Sequence, residues 1–324
     1  MTRPIEELAP KLWRIPVPLP PLSGAEYLGF TNGYLIGGSD GWLLVDTGMT
    51  TDEAIGVVER GLGEAGLGWR DLDLIAITHH HPDHYGGSGR LRELTGAQVL
   101  MHRNDFALVF EGIFKYPSFP ELVAMHGGPA FEESGRGPTK HPAFKPAAPD
   151  RFLADDEHID LGSRAVRVLH TPGHTPGHCC FEVLEEQIVL TGDHVLPKIT
   201  PHVGYYPGSD DPLADFLDSL KRIAEGGYRH ALPAHGEPFL DAASRCARIV
   251  RHHEFRLRAC VDALGKKTLT GWEIWPAVFG DHVEGFHRFA AMFESLAHLV
   301  LAESRGEVER VTDDAGVIRW RRIG

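Results

Sequence analysis

The beginning of the chain shows a pattern that is typical of β-strands. Apolar and polar positions alternate in "LWRIPVPLP", and "NGYLIGG" and "GWLLVDTG" flank the turn "GGSDG", which predicts a β-hairpin. The pattern then becomes helical, because "TTDEAIGVVERGLGEAG" has a Thr/Asp start and apolar residues at helical spacing, namely Ala54, Ile55, Val58 and Leu62. The chain therefore opens with strands that lead into an amphipathic helix.

The next segment continues the alternation of strand and helix. "DLDLIAIT" predicts a buried strand, "SGRLRELTG" a short helix and "AQVLMH" another strand. The loop "THHHPDHYGG" leaves the carboxyl end of the first of these strands. Loops in this position of an α/β protein often carry functional residues, so this loop is the first candidate site.

Residues 105–150 interrupt the alternation. They are rich in Pro and Gly and contain scattered aromatic residues, namely Phe106, Phe110, Phe114, Tyr116 and Phe119. The segment is too long for a plain connector, so we expect an excursion with short helices that covers a site. An ordinary surface insertion is an equally good interpretation.

The second half of the chain divides into two parts. Strand patterns return over residues 151–240 in "RAVRVLHT", "HCCFEVLE" and "QIVLTGD", followed by a helix and the strand "HALPAHG". Beyond residue 241, three helical segments precede two short strands about the turn "DDAG". Three helices and a terminal hairpin are typical of a winged-helix domain. We therefore predict a catalytic domain over 1–240 and a winged-helix domain over 241–324.

Composition narrows the class of protein. With 42% hydrophobic and 24% charged residues the chain is typical of soluble globular proteins. It has no uninterrupted apolar stretch that could span a bilayer, and its N-terminus is acidic where a signal peptide would be basic. The four cysteines lack C-x-x-C spacing, and Cys179 and Cys180, adjacent in a strand, should point to opposite faces. We expect a cytoplasmic protein that does not contact a membrane.

The candidate loop contains potential metal ligands at suitable spacing. His79 and His81 are two residues apart, so both can face one ion from an extended loop. Asp83 and His84 follow directly. Three later loops offer partners, each after an apolar strand and each beside a glycine: His174 in "HTPGHTPGH", Asp193 in "VLTGDH" and His235 in "LPAHGEP". Five imidazoles and two carboxylates suit two adjacent metal ions that share one carboxylate, with zinc as the expected metal and iron or manganese as alternatives.

The four motifs "THHHPDH", "TPGHT", "TGD" and "AHG", in this order, resemble the signature of the metallo-β-lactamase-fold hydrolase superfamily. The resemblance covers roughly residues 12–240. It implies an α/β fold, an αββα sandwich with the metal ions at one edge between its two sheets. The winged-helix tail resembles that of a subgroup of this superfamily, which includes thioesterases and endoribonucleases.

The resemblance also assigns the motif residues to two metal ions. The first ion would be bound by His79, His81 and His174, the second by Asp83, His84 and His235, and Asp193 would bridge them. Asp46 of "LLVDTG" would support the ligands from behind. Such a centre lowers the pKa of a bound water to about 7 and so supplies a hydroxide without a serine or cysteine nucleophile. Asp83 would also orient the nucleophile or carry its proton.

Other residues near the motifs receive weaker assignments. His80 is expected to point away from the metals, and His178 and His194 to lie behind the ligands. The stretch after Asp193 resembles that of the winged-helix subgroup, which makes candidates for the substrate pocket of Lys198, His202, Tyr205 and Tyr206. An ordinary structural loop is at least as good an interpretation for each. The tandem His252 and His253 are expected on a solvated helix face.

Two reactions fit this sequence. A small-molecule ester or thioester hydrolase is favoured by the aromatic segment and the acidic composition, and a phosphodiesterase or endoribonuclease by the winged-helix subgroup. Antibiotic hydrolysis is disfavoured, because one large subclass of β-lactamases has cysteine where this chain has Asp193. The net charge of −13 and the apolar third helix of the tail argue against nucleic acid. We expect that helix to dock on the catalytic domain or to form a homodimer contact.

Overall fold

The computed structural model describes residues 3–20, 28–111, 117–130, 144–184, 186–206 and 208–323. Its first sheet has seven strands, which lie in chain order. They are β1 (Glu6–Ala9), β2 (Leu12–Pro18), β3 (Phe30–Gly37), β4 (Trp42–Val45), β5 (Leu74–Ala76), β6 (Gln98–His102) and β7 (Arg151–Leu153). Neighbouring strands from β1 to β4 are antiparallel, and neighbouring strands from β4 to β7 are parallel.

The second sheet has six strands in the order β13-β12-β11-β10-β9-β8. They are β8 (His158–Asp160), β9 (Ala165–His170), β10 (Cys179–Val183), β11 (Ile188–Gly192), β12 (His230–Pro233) and β13 (Phe239–Leu240). Only β11 and β12 are parallel to each other. Their carboxyl ends therefore lie side by side, and the loops that follow them emerge at one edge.

Helices flank the two sheets and build much of the C-terminal part of the chain. They are α1 (Asp52–Glu64), α2 (Pro82–Tyr85), α3 (Ser88–Thr95), α4 (Arg103–Phe106), α5 (Phe119–Met125), α6 (Pro212–Glu225), α7 (Ala242–Leu264), α8 (Gly271–Phe279) and α9 (His287–Ser304). Local sequence sets where several of them begin. The Thr51 hydroxyl accepts the Ala54 N–H at the start of α1, and Asp211 caps α6 in the same way ahead of Pro212.

The core between the sheets shows why these segments become strands. On β10, Cys179, Phe181 and Val183 pack between the two sheets, whereas Cys180 points the other way and packs with the helices outside the second sheet. This is the alternation predicted for the two cysteines, and all four cysteines are free and buried. Helices α1 and α3 pack on the outer face of the first sheet and α6 on that of the second. The predicted αββα sandwich is confirmed.

The C-terminal part contains the predicted helices α7, α8 and α9 and the predicted hairpin, β15 (Val308–Thr312) and β16 (Ile318–Arg322). A short strand, β14 (Leu269–Thr270), joins β16 to complete a three-stranded sheet. The three helices share one apolar core with α6. The tail is therefore packed against the preceding part of the chain, and α9 is buried over most of its length. The boundary at residue 240 and the winged-helix assignment stay predictions.

The neighbouring histidines His252 and His253 of α7 differ in exposure. The solvated position expected for His253 is wrong, because α7 turns this side chain towards α6 and α9 and buries it, whereas His252 stays partly exposed.

Within residues 105–150 the structure has a π-helical turn at Ala107–Glu111 and helix α5. Phe114 and Tyr116 lie outside the described residues. No helix in the described part of the chain is long and apolar enough to cross a membrane.

The packing between the sheets predicts how Phe→Ala substitutions at a buried and at an exposed position change the stability of the fold. Phe181 is fully buried there, so Phe181→Ala should lower the free energy of unfolding by about 3–5 kcal/mol through lost burial and a residual cavity. Phe255 on α7 is 71% exposed, so Phe255→Ala should change the free energy of unfolding by no more than about 0.5 kcal/mol. Urea unfolding followed by circular dichroism measures both. Equal effects of the two substitutions would contradict this view of the core.

Candidate metal centre

The candidate ligands lie on four loops that leave the carboxyl ends of strands. The loop after β5 and the short helix α2 carry the residues of "HHHPDH", and three loops of the second sheet carry His174, Asp193 and His235. Gly192, just before Asp193, has a φ of +48° and packs so closely that a Cβ there would lie 2.6 Å from His178 Nε2. Only glycine allows this approach of the β11 loop to the site.

Four of the candidates form a first cluster. The ligand atoms of His79, His81, His174 and Asp193 all lie within 4.8 Å of one another. His81 Nδ1 lies 2.9 Å from His79 Nε2 and 3.1 Å from His174 Nε2. Three imidazole nitrogens and a carboxylate thus converge on one point. This donor set is one that zinc and similar divalent metals bind.

Three candidates form a second cluster. The ligand atoms of Asp83, His84 and His235 also lie within 4.8 Å of one another. Asp83 Oδ2 lies 3.4 Å from His84 Nε2 and 3.2 Å from His235 Nε2. Two imidazoles and one carboxylate could hold a second ion beside the first.

Asp193 lies between the two clusters and presents one oxygen to each. Its Oδ2 lies 3.8 Å from His174 Nε2, in the first cluster. Its Oδ1 lies 3.6 Å from His84 Nε2 and 3.4 Å from His235 Nε2, in the second. A carboxylate in this position can bridge two metal ions.

Hydrogen bonds behind the ligands fix which ring nitrogen faces the centre. The Nδ1 atom of His84 donates to Asp46 Oδ2 at 2.8 Å, that of His174 to the His202 carbonyl at 2.7 Å and that of His235 to the Phe30 carbonyl at 2.8 Å. Each of these imidazoles therefore keeps the lone pair of Nε2 for the centre.

Asp46 lies behind the candidate ligand His84. Beyond His84, its carboxylate accepts the backbone N–H and the hydroxyl of Thr78, each at 2.8 Å. The residue has a φ of +62°, which is uncommon outside glycine and places the buried carboxylate under the ligand loop. Asp46 thus ties the first residue of the loop to the ring of His84.

The protonation states suit metal binding at the first cluster. Burial lowers the pKa of His79, His81 and His174 below the usual histidine value, and neighbouring imidazoles lower it further. Burial would raise the pKa of Asp193, but His235 and His84 hold it below its ordinary range. Neutral imidazoles and an ionised carboxylate are the forms that bind metals.

The second cluster behaves differently in the absence of a metal. Burial would lower the pKa of His84, but the carboxylates of Asp83, Asp193 and Asp46 together raise it well above its usual value. The pKa of His235 is raised for the same reason, by Asp193 and Asp83 against the effect of burial. Here protons compete for the positions that a metal would take.

Three atoms test whether the centre fits a metal. His84 Nε2, His235 Nε2 and Asp193 Oδ1 are buried and have no hydrogen-bond partner of normal geometry among the described residues. Buried polar atoms are rarely left this way, because an unmade hydrogen bond is costly. Since all three point at the same space, the residues fit divalent cations there.

Asp105 is a residue of the site that the sequence analysis missed. Its buried carboxylate accepts the His80 N–H at 2.8 Å, the Thr175 hydroxyl at 2.9 Å and the Gly177 N–H at 2.6 Å, and His80 Nδ1 lies 3.1 Å away. It thereby joins the loop of His79 and His81 to the loop of His174. The signal in the sequence is slight, an acidic residue three positions after the end of strand β6, on helix α4.

The other nearby histidines have distinct positions. His80 turns towards Asp105 and stays outside both ligand clusters. His178 Nε2 accepts the backbone N–H of Asp193 at 3.2 Å and so positions the bridging residue. His194 is buried beside His178 and Phe216, where burial lowers its pKa to about 3.

An apolar cavity of about 340 Å³ opens beside the first cluster. Both His81 and His174 line it, as do His202, Tyr205 and Tyr206 among the residues proposed for the substrate pocket. The remaining wall is mainly apolar and includes Leu108, Phe119, Leu122 and Phe293. Lys198 does not line this cavity. It lies on a separate cleft that His235 and Glu237 also line.

Comparison with known proteins places these features in a family. Residues 27–235 match the model of the metallo-beta-lactamase superfamily, and residues 257–323 match that of the metallo-beta-lactamase-like C-terminal domain. The crystal structure of a metallo-beta-lactamase family protein from Thermus thermophilus has a TM-score of 0.83 and 34% identity, and the match covers 98% of this chain and 100% of that one.

Two further relatives are informative. A beta-lactamase domain protein from Burkholderia ambifaria has a TM-score of 0.84 and 27% identity, over 98% of this chain and 94% of that one. A protein named atrochrysone carboxyl ACP thioesterase, from Aspergillus chevalieri, is 26% identical over 99% of this chain and 89% of its own length.

The position of Asp105 makes a prediction about metal binding. Asp105→Asn keeps the size of the side chain but replaces one acceptor oxygen by an NH₂ group, so buried donors of the two ligand loops lose their partner. We expect the zinc affinity to fall about 10–100-fold, as for other residues that orient ligands. Zinc titration against a competing chelator measures this. Asp210→Asn, at an exposed position, is the control, and equal affinities in both variants would refute the role of Asp105.

The pKa shifts predict the order in which metal is lost on acidification. The pKa values of His84 and His235 are raised, so these rings take up protons at a higher pH than His79, His81 and His174, whose pKa values are lowered. Metal at the second cluster should therefore be released first as the pH falls. Dialysis over a pH series with elemental analysis should show two separate losses. A His81→Ala variant, in which the first cluster is broken, shows which of the two losses belongs to which cluster. Loss of the first-cluster metal at the higher pH would contradict the predicted order.

Proposed function

This chain belongs to the metallo-β-lactamase superfamily of hydrolases, and we propose that it hydrolyses a small-molecule thioester or ester at a centre of two divalent metal ions. The observation that carries the proposal is the position of Asp193, with one carboxylate oxygen beside each ligand cluster. His79, His81 and His174 would hold the first ion, and Asp83, His84 and His235 the second. Zinc suits this donor set, as do iron and manganese.

The protein's own groups would prepare the centre for hydrolysis. Two bound ions would supply a water of lowered pKa and polarise the acyl carbonyl. Asp46 and the carbonyl groups behind His174 and His235 hold the ligand rings in place, so no reorganisation is needed during the reaction. Asp83 Oδ2 faces the centre and would orient the attacking water or accept its proton.

The cavity beside the first cluster supports an apolar acyl group. Leu108, Phe119, Leu122 and Phe293 give it an apolar wall, and His81 and His174 form its inner end. An acyl chain bound there would present its carbonyl to the metal ions. Tyr205, Tyr206 and His202 would contact the polar parts of that chain. The relatives named atrochrysone carboxyl ACP thioesterase support a thioester as the bond that is cleaved.

The separate cleft beside His235 would take the leaving group. Lys198 and Arg3 line it together with the ligand His235. A thiol leaving group on a long polar arm could lie along this cleft, with any negative charge near Lys198. The substrate would then cross the metal centre from the apolar cavity to the cleft that Lys198 lines.

Nucleic-acid hydrolysis is the alternative for a centre of this kind. The element order α7, β14, α8, α9, β15, β16 supports a winged-helix assignment for residues 241–324. However, α9 would be the recognition helix of such a domain, and it is buried against the rest of the chain. A helix in that position cannot enter a groove of DNA. Together with the net charge of −13, the burial of α9 favours thioester hydrolysis over nucleic-acid hydrolysis.

A substrate panel tests the proposed function. We expect turnover of aromatic and aliphatic acyl thioesters, weaker turnover of the matching oxygen esters, and no cleavage of bis-p-nitrophenyl phosphate or single-stranded RNA. A chelator should abolish turnover and zinc restore it. Asp193→Asn should lower kcat/KM by at least about 100-fold, because it removes the shared ligand. Asp314→Asn, at an exposed position, should leave kcat/KM unchanged. RNA cleavage without thioester turnover would refute the proposal.

A further inference from the structure

A third group of metal-binding side chains lies in the C-terminal part of the chain, outside the centre described above. His253 of α7 faces Glu294 and His298 of α9, and the ligand atoms of the three residues lie within 4.8 Å of one another. Glu294 and His298 are four residues apart, so they share one face of α9. His253 and His298 are fully buried and Glu294 is 9% exposed.

The two imidazoles are arranged as ligands of one ion. His298 Nδ1 donates to the Glu294 carbonyl at 2.7 Å, which makes Nε2 the nitrogen of this ring that can accept a hydrogen bond or bind a metal. That Nε2 lies 3.2 Å from His253 Nδ1. Two nitrogens on one tetrahedral zinc, each at about 2.0–2.1 Å from the metal, are separated by about 3.3 Å. The same spacing relates His81 to His174 in the first cluster, at 3.1 Å.

Among the described residues, the carboxylate of Glu294 has no ion-pair partner. The charges of His202 and Arg256 act on it, but neither side chain forms an ion pair with it. The Arg256 guanidinium lies over the Phe279 ring at 3.8 Å and forms no ion pair with Glu294. A largely buried carboxylate without a cation or donor is costly. A divalent cation between Glu294 and the two imidazoles would remove this cost.

We propose that His253, Glu294 and His298 bind a divalent transition-metal ion, zinc by its donor set, that fastens α7 to α9. Two imidazoles and one carboxylate supply three ligands, and water would complete a tetrahedral site. The ion would carry a structural role, because its ligands connect two helices and none belongs to the hydrolytic centre. The site does not depend on the proposed thioesterase activity.

Metal counting on the full chain tests this site. Wild type and the variants Glu294→Gln, His298→Gln and His252→Gln are saturated with zinc, desalted and analysed for metal. The first two variants should hold about one zinc fewer than wild type, since each loses one of three ligands. His252→Gln, the next residue on α7 but outside the group, should match wild type. Equal zinc in all four folded proteins would show a buried histidine pair only and overturn the proposal.

A second measurement guards against variants that do not fold. In a His81→Ala/His235→Ala protein, both clusters of the hydrolytic centre are broken. We expect this protein to bind about one Co²⁺ with the absorption bands of a tetrahedral ion, and Co²⁺ to raise its melting temperature. Adding Glu294→Gln should remove both effects. If the double variant binds no Co²⁺ although circular dichroism shows it folded, the site does not exist, whatever metal the intact hydrolytic centre holds.

Discussion

A buried carboxylate must be matched by hydrogen-bond donors or by cations, and the layout of the centre follows from this constraint. Asp46 and Asp105 are matched by the protein itself, through Thr78 and His84 in one case and through His80, Thr175 and Gly177 in the other. Asp193 is not, because its buried Oδ1 has no hydrogen-bond partner among the described residues. Asp46 and Asp105 therefore hold the loops in place, whereas Asp193 has the surroundings of a carboxylate that binds a cation.

The arrangement of the sheets explains why the loops meet. Strands β11 and β12 are parallel, so Asp193 and His235 emerge at the same edge, and β5 brings the "HHHPDH" loop to that edge from the first sheet. Each candidate ligand follows an apolar strand, and local sequence is enough to recognise this. The sandwich, and the convergence of the seven candidate ligand residues, could therefore be predicted from strand patterns and motif order.

The residues that the sequence did not reveal act across long stretches of chain. Asp105 holds a loop that is 25 positions away and another that is 70 to 72 positions away, and no local pattern encodes either pairing. His253 could not be distinguished from His252, because neighbouring residues on a helix point about 100° apart and only the packing partner decides which is buried. The position of Lys198 on a separate cleft is likewise set by how the chain turns after Asp193.

The C-terminal helix α9 is part of the support of the centre. His202 Nε2 donates to the Ala290 carbonyl of α9, and the Tyr205 N–H donates to the Phe293 carbonyl. The carbonyl of the same His202 accepts the Nδ1 proton of His174, a candidate ligand in the first cluster. A shift of α9 would therefore move the loop that orients His174 and one wall of the apolar cavity together. Since α9 is held mainly by its apolar contacts with α6, α7 and α8, the packing of the tail and the geometry of the centre depend on the same core.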